Sequence, residues 1–210
     1  MTVKAPKWST VKSKSNRKIS HRFDQSSLAE VVANIETIGT TDGDMSVGRL
    51  DWEIPESKSQ FKWSGSKITS VTLHLHIQLY MPTWTKRKTA PKSHQNEWSR
   101  FWNALLEHER GHYEKAVQGV KVMYRELLKS TPDKIEARYK QLEAAMNSVQ
   151  SQYDVRTDHG KRQQTKYGST IIVVGDVRGN ESPTGKKRKE FESRVRQRKV
   201  RQKTRQRSRR

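Results

Sequence analysis

Two histidines and a glutamate in this 210-residue chain have the spacing of a zinc site. They lie in the run His108-Glu109-Arg110-Gly111-His112. Histidines four residues apart on a helix project from one face, close enough for both imidazoles to reach one tetrahedral Zn²⁺. Glu109, beside the first histidine, can then take a proton from a water at the metal. The spacing therefore predicts a zinc centre with His108 and His112 as ligands and Glu109 as the general base.

The stretch around this run has the periodicity of one long amphipathic helix. Apolar residues recur at i, i+3 and i+4 on both sides of it, at Trp98, Phe101, Trp102, Leu105 and Leu106, and then at Ala116, Val120, Met123, Tyr124, Leu127 and Leu128. We expect the helix to continue to about Lys129. The alternative is an exposed, charged helix face that happens to carry two histidines. Gly111 argues against it, because a glycine inside a helix costs about 1 kcal/mol relative to alanine. Its missing side chain predicts that another segment approaches closely at this point.

A catalytic zinc ion needs a third protein ligand and an open fourth position. Thr131-Pro132-Asp133 begins a third helix, which we expect to end near Gln150. The short linker makes this helix antiparallel to the motif helix, so the chain beyond it returns to the two histidines. His159 is the predicted third ligand, although it could also be a loop histidine without a role. The other candidates offer carboxylate oxygens as ligands: Asp158, Glu136 and Glu143. Asp158 could instead orient an imidazole from outside the ligand set. Tyr153 or Tyr167 could donate a hydrogen bond to an oxyanion.

The preceding part of the chain predicts one helix and a small sheet. Ser27 and Glu30 form a capping box for a helix to about Ile38. Alternating residues predict strands at 49–54 and 68–80, and a β-branched run at 169–174 predicts a further edge strand. His74 and His76 share the polar face of the second strand, either as a second metal pair, in a substrate groove or simply in solvent. The predicted fold class is α+β, with a small, mostly antiparallel sheet packed on the long helix and on the antiparallel helix that follows it.

Charge divides the chain into three parts. The content of hydrophobic residues is 31% and the mean hydropathy is −1.04, which is low for a fully folded chain. Residues 186–210 hold 14 Lys or Arg and two Glu, and so carry twelve of the net charges of +21. Residues 1–22 add seven Lys or Arg and no acid. We therefore expect a disordered basic arm at 1–20, a folded domain at 21–176 and a disordered polybasic tail at 177–210.

Cysteine and targeting signals restrict the site and the location. The chain has no cysteine, so a zinc ion would depend on histidines and carboxylates. No apolar segment typical of a signal peptide or of a membrane span is found in the sequence. The expected location is the cytoplasm.

A family resemblance is carried by several of these motifs in their order. They are the strand at 71–80, Pro82 and Trp84, the approach Trp98 to Phe101, the His108–His112 run, and a later stretch from Tyr153 and Asp154 through Thr157 and His159 to Gly160. Over about His21 to Gln164 the chain resembles a bacterial family described as predicted secreted zinc-dependent proteases and catalogued largely as a domain of unknown function. The resemblance implies a zincin-like domain and a metallopeptidase, and it favours His159 over the glutamates as third ligand. The chain departs from the family's description in lacking an export signal and in its basic tail.

Two functions from different classes follow. The first is a zinc-dependent hydrolase acting on a protein or peptide substrate, with zinc on His108, His112 and His159 and with Glu109 as general base. The second is a basic structural protein associated with nucleic acid, in which the zincin-like domain is catalytically idle. In that case the polybasic tail would bind nucleic acid or another polyanion without sequence specificity, through phosphate contacts.

Overall fold

The architecture is α+β, as the sequence predicted, and the described residues form two small sheets and four α-helices. The computed structural model describes residues 2–41 and 47–174. The strands are β1 (Thr2–Lys4), β2 (Lys18–Phe23), β3 (Arg49–Glu53), β4 (Gln60–Ser64), β5 (Lys67–His74) and β6 (His76–Trp84). The helices are α1 (Trp8–Val11), α2 (Leu28–Thr41), α3 (Lys92–Leu127) and α4 (Ile135–Thr157). Residues 1–174 form one compact unit. The predicted tail at 177–210 lies outside the described residues.

Both sheets are mixed, so the prediction of one mostly antiparallel sheet was wrong. The strand orders are β1-β5-β4 and β2-β6-β3. In each sheet one outer strand is parallel to the central strand and the other is antiparallel to it. The sheets are mixed because β1 and β2 pair in parallel with the central strands. There are two of them because a break at Leu75 divides the predicted strand 68–80 into β5 and β6 and assigns each half to a different sheet. The buried side chains of that predicted strand still alternate, at Val71, Leu73, Leu75 and Leu79.

The predicted disordered arm at residues 1–20 is also corrected, because this segment supplies a strand to each sheet. β1 pairs with β5, and β2 pairs with β6. Between these strands, α1 buries Val11 at 4% exposure. The lysines of the segment remain in solvent, which is why its composition resembled that of a disordered arm. β1 is three residues long, too short to show periodicity, and its partner lies about 70 residues later in the chain.

The start of α2 confirms the predicted capping box. The backbone N–H of Ser27 donates to Glu30 Oε2 over 3.2 Å, and the N–H of Glu30 donates to Ser27 Oγ over 3.3 Å. Both contacts satisfy N–H groups that have no partner within the helix.

α3 and α4 form the predicted antiparallel hairpin. The pairs in contact run in opposite directions along the two helices: His108 with Asp154, His112 with Gln150, and Gly119 with Met146. α3 begins at Lys92, and α4 ends at Thr157 rather than near Gln150. α3 joins two apolar clusters, one around its N-terminal half and one around its C-terminal half. The two histidines lie between these clusters.

The predicted edge strand at 169–174 was wrong. These residues run as irregular chain along the N-terminal half of α3, and Ile171 and Val173 are 52% and 66% exposed. Their backbone groups are bound by Arg100 and Glu97 instead of by a neighbouring strand. Among the residues that the structure describes, no helix has the length and apolar character needed to cross a membrane.

Candidate metal centre

The two histidines and the glutamate of the His108–His112 run are buried in the middle of α3. His108, Glu109 and His112 are 3%, 2% and 8% exposed, which excludes the alternative of an exposed, charged helix face. The two histidines are on the side of α3 that faces α4. A charged or polar side chain is rarely buried to this degree without a partner. The partners of these three residues therefore indicate what the site can do.

Asp154, near the end of α4, brings one carboxylate oxygen within hydrogen-bond distance of both histidines. Its Oδ1 atom lies 3.1 Å from His108 Nε2 and 2.8 Å from His112 Nε2. One ligand atom from each of the three residues falls within 4.8 Å of the other two. Within the described ranges 2–41 and 47–174, these three residues are the one set of His, Asp or Glu side chains whose ligand atoms lie close enough together to hold a metal ion. His108, His112 and Asp154 could together hold a metal ion.

Two glutamines fix which nitrogen of each imidazole faces Asp154. His108 Nδ1 lies 3.0 Å from Gln163 Oε1, and His112 Nδ1 lies 2.7 Å from Gln150 Oε1. The orientation of the Gln150 amide is set because its Nε2 donates to the backbone oxygen of His112 over 3.2 Å. An amide oxygen can only accept, so each Nδ1 carries a hydrogen. In the neutral imidazoles, the Nε2 lone pairs therefore point at the Asp154 carboxylate.

This donor set fits a zinc ion. Two ligand atoms of a tetrahedral zinc ion, each about 2.0–2.1 Å from the metal, lie about 3.3 Å apart. The observed separations from Asp154 Oδ1 are close to that value. Two nitrogen lone pairs and a carboxylate oxygen repel one another at these distances unless a cation or a proton lies between them. Zinc sites typically combine histidine nitrogens with a carboxylate oxygen. In such sites the other ring nitrogen of each histidine is held by a hydrogen bond.

The same repulsion sets the protonation of the metal-free site. Burial, the largest single influence, lowers the pKa of His112. Its hydrogen bonds with Asp154 and Gln150 and the charges of Glu109 and Asp154 together outweigh burial and raise this pKa. For Asp154, burial would raise the pKa, yet the hydrogen bonds from His108 and His112 reverse this effect and lower the pKa well below its usual range. Without a metal, the Asp154 carboxylate therefore favours the protonated form of His112.

Glu109 has the environment of a general base. Burial raises the pKa of Glu109 to about 7, while the nearby His108 and His112 act in the opposite direction. Asp154 and Asp51 of β3 add to the rise. Among the described residues no group hydrogen-bonds the Glu109 carboxyl. A carboxylate with a pKa near neutrality accepts and returns a proton more readily than an ordinary one.

Tyr153 explains why position 111 is a glycine. A Cβ atom at Gly111 would lie 2.5 Å from Tyr153 Cζ, so α4 approaches α3 more closely there than any side chain permits. The close approach predicted from Gly111 is thus confirmed. The Tyr153 ring stacks on the His108 ring at 5.1 Å, and its hydroxyl is within 3.1 Å of Gln163 Oε1. Tyr153 therefore helps to hold Gln163 and His108, and its hydroxyl is already engaged.

His159, the predicted third ligand, lies beside the group but is not part of it. Its Nδ1 is 3.7 Å from Asp154 Oδ1, and its side chain is 62% exposed. As a metal ligand it stays a prediction. Gly160, which follows His159, has φ +85°, and a Cβ there would lie 3.2 Å from His108 Cγ.

The remaining candidates lie apart from the histidines. Asp158 forms ion pairs with Lys161 and Arg162, and Glu136 pairs with Lys140. Neither these acids nor Glu143 is in the three-residue group. His76 faces solvent and pairs with Glu53 at 2.9 Å. Tyr167 contributes its backbone oxygen to Arg100.

Asp154 was missed because α4 was predicted to end four residues before it. The buried residues of α4 continue at helical spacing through Met146, Tyr153 and Thr157. Had the helix been extended by two turns, Asp154 would have fallen on the same inner face as Gln150. The available signal was therefore the continuation of the apolar periodicity to Tyr153.

Comparison with known proteins gives one family. The family described as bacterial protein of unknown function (DUF922) matches residues 19–160, which is more than half of the chain. The chain belongs to this family. The matched range contains His108, His112 and Asp154 but ends before Gln163. Neither a curated protein nor a solved structure matches the chain.

Proposed function

We propose that this domain is a zincin-like zinc-dependent hydrolase, and specifically a metallopeptidase. The observation that supports it best is the group of His108, His112 and Asp154, whose oriented lone pairs converge beside a buried carboxyl, Glu109. Three protein ligands leave one position of a tetrahedral ion for water or substrate, which is the arrangement of catalytic rather than structural zinc sites.

In the proposed hydrolysis, each residue of the site has a separate role. When bound, a zinc ion would supply a Lewis acid that polarises the scissile carbonyl and acidifies a water molecule. Glu109 takes the proton of the attacking water and returns it to the leaving amine, for which a pKa of about 7 is well matched. Gln150 and Gln163 keep Nε2 of each histidine directed at the site.

The test is the metal content and activity of four proteins. We expect one zinc ion per chain in the wild type and a loss of zinc affinity of more than about 100-fold in Asp154→Asn. If Asp154 takes the place predicted for His159 as third ligand, His159→Ala should retain zinc, because His159 lies outside the three-residue group. Glu109→Gln should bind zinc normally and lose activity on a broad peptide panel by about 10²–10⁴-fold. Zinc content is measured by mass spectrometry and affinity by competition with a chelator.

Three results would contradict the proposal. A wild-type protein without stoichiometric zinc removes its basis. Full activity of Glu109→Gln removes the assigned role of the carboxyl. Loss of zinc from His159→Ala, with retention by Asp154→Asn, would replace Asp154 by His159 in the ligand set.

The charge of residues 186–210 favours a second, compatible function. Fourteen cations in 25 residues form a polycation that would bind phosphates by releasing their counterions. We propose that this tail binds nucleic acid or another polyanion without sequence specificity. A peptidase would then be tethered to nucleoprotein.

A further inference from the structure

The chain after α4 folds back along α3 toward its N-terminus. We call residues 158–174 the strap. A turn at Thr165–Gly168, closed by hydrogen bonds of 3.3 and 2.9 Å between these two residues, reverses its direction. The returning part is tied to the outgoing part where the N–H of Thr170 donates to the oxygen of Gly160 over 3.3 Å. Most of the strap lies beyond the residues that the family matches.

One end of the strap supports the metal centre directly. Gln163 accepts a hydrogen bond from Nδ1 of His108 and lies within 3.1 Å of the Tyr153 hydroxyl. Gly160 packs against the His108 ring. The strap therefore fixes both the tautomer and the ring position of one histidine. α4 supplies the corresponding support for the other histidine, through Gln150.

The other end of the strap is held by two charged residues of α3. The Arg100 guanidinium donates to the backbone oxygens of Tyr167, over 3.0 Å, of Ser169, over 2.7 Å, and of Ile171. Glu97 accepts the N–H of Val173 over 2.8 Å and pairs with Arg100 at 2.7 Å. Burial of a guanidinium costs little free energy when its N–H donors and its charge both have partners, as those of Arg100 do.

We propose that Arg100 and Glu97 form a clamp that positions Gln163 on His108 and so sets the metal affinity of the centre from two helical turns away. Arg100 is eight residues before His108, about 12 Å along the helix axis. It is a positioning residue, because it acts through the strap. The inference rests on the proposed zinc function. In this inference, the His108 imidazole is oriented by the strap, and the strap is held by Arg100 and Glu97 because it contains no strand or helix.

The experiment compares Arg100→Gln with Arg125→Gln, an exposed arginine near the end of the same helix. In Arg100→Gln we expect faster amide hydrogen exchange in residues 161–174. We also expect ¹⁵N chemical shifts of His108, recorded on the metal-free protein, to move toward a mixture of tautomers. Zinc affinity should fall roughly 10- to 100-fold, as for other losses of a group that orients a ligand. Arg125→Gln should match the wild type in all three.

Two results would overturn the clamp: a strap that stays protected in Arg100→Gln, or a released strap with unchanged His108 shifts and unchanged zinc affinity. If the wild type binds no zinc, the proposed function fails, and the His108 shifts of the metal-free protein alone decide the clamp. Should Arg100→Gln not fold, Glu97→Gln is measured in the same way, because it removes the charge partner and weakens the contact to Val173.

Discussion

The buried acid and histidine of the α3 motif bind protons more tightly in the folded, metal-free protein than in the unfolded chain. Burial raises the pKa of Glu109 to about 7 from its usual 4.5. The pKa of His112 is also raised, because its hydrogen bonds to Asp154 and Gln150 and the charges of Glu109 and Asp154 together outweigh its burial. For both groups the raised folded pKa stabilises the protein at low pH, and this contribution is lost as the pH rises through that pKa. The lowered pKa of Asp154 has the opposite effect, but only near and below pH 4.

We therefore predict that the metal-free protein loses stability as the pH rises from about 5 to about 8. The shift of Glu109 alone corresponds to roughly 3 kcal/mol in the free energy of unfolding. The measurement is denaturant unfolding in the presence of a chelator at several pH values. Glu109→Gln should remove most of the slope between pH 5 and 7. A wild-type stability that is flat or rises over this range would show that Glu109 is ionised without cost, and its role as a base poised near neutrality would be lost.

The packing of α3 on α4 depends on glycines within α3, although glycine is unfavourable inside a helix. Gly111→Ala should gain up to about 1 kcal/mol from propensity. It should lose about 1–3 kcal/mol from overpacking, since the new Cβ would lie 2.5 Å from a Tyr153 ring held by His108 and Gln163. We predict net destabilisation, measured by denaturant unfolding. Gly119→Ala is the matched control, because the new Cβ would meet Met146, a flexible side chain that can move. Equal effects of the two changes would contradict this account.

Local signals in the sequence predicted the elements whose determinants are local. The capping residues of α2, the apolar face of α3 and the close approach at Gly111 each depend on residues within a few positions, and all are present in the structure. The strand β1 and the ligand candidate Asp154 depend on distant partners. β1 is ordered by β5, and Asp154 becomes part of a site only because α4 continues past Gln150. The strap is likewise ordered by Arg100 and Glu97, about 70 residues earlier, and no periodicity marks it.

For the whole molecule, the separation of charge predicts two independent activities. Removal of residues 175–210 should abolish most binding to double-stranded DNA at low salt, because the deleted segment carries more than half of the net positive charge. The affinity of the full chain should fall steeply with the logarithm of the salt concentration. Zinc affinity should be unchanged, since all the residues that build the centre precede the deletion. Fluorescence anisotropy with a labelled duplex measures the binding. A shortened protein that binds DNA like the full chain would refute the role of the tail.

The placement of β1 and β2 has a consequence for how the chain reaches its native state. These strands are synthesised before their partners, because each is an outer strand whose central partner, β5 or β6, follows some 60 to 70 residues later. Parallel pairing over such a separation requires closure of a long loop before it yields any contact, and this slows folding. During translation β1 and β2 must therefore remain unpaired until β5 and β6 have been synthesised. Because they are rich in lysine and arginine, they stay soluble and resist premature pairing during that interval.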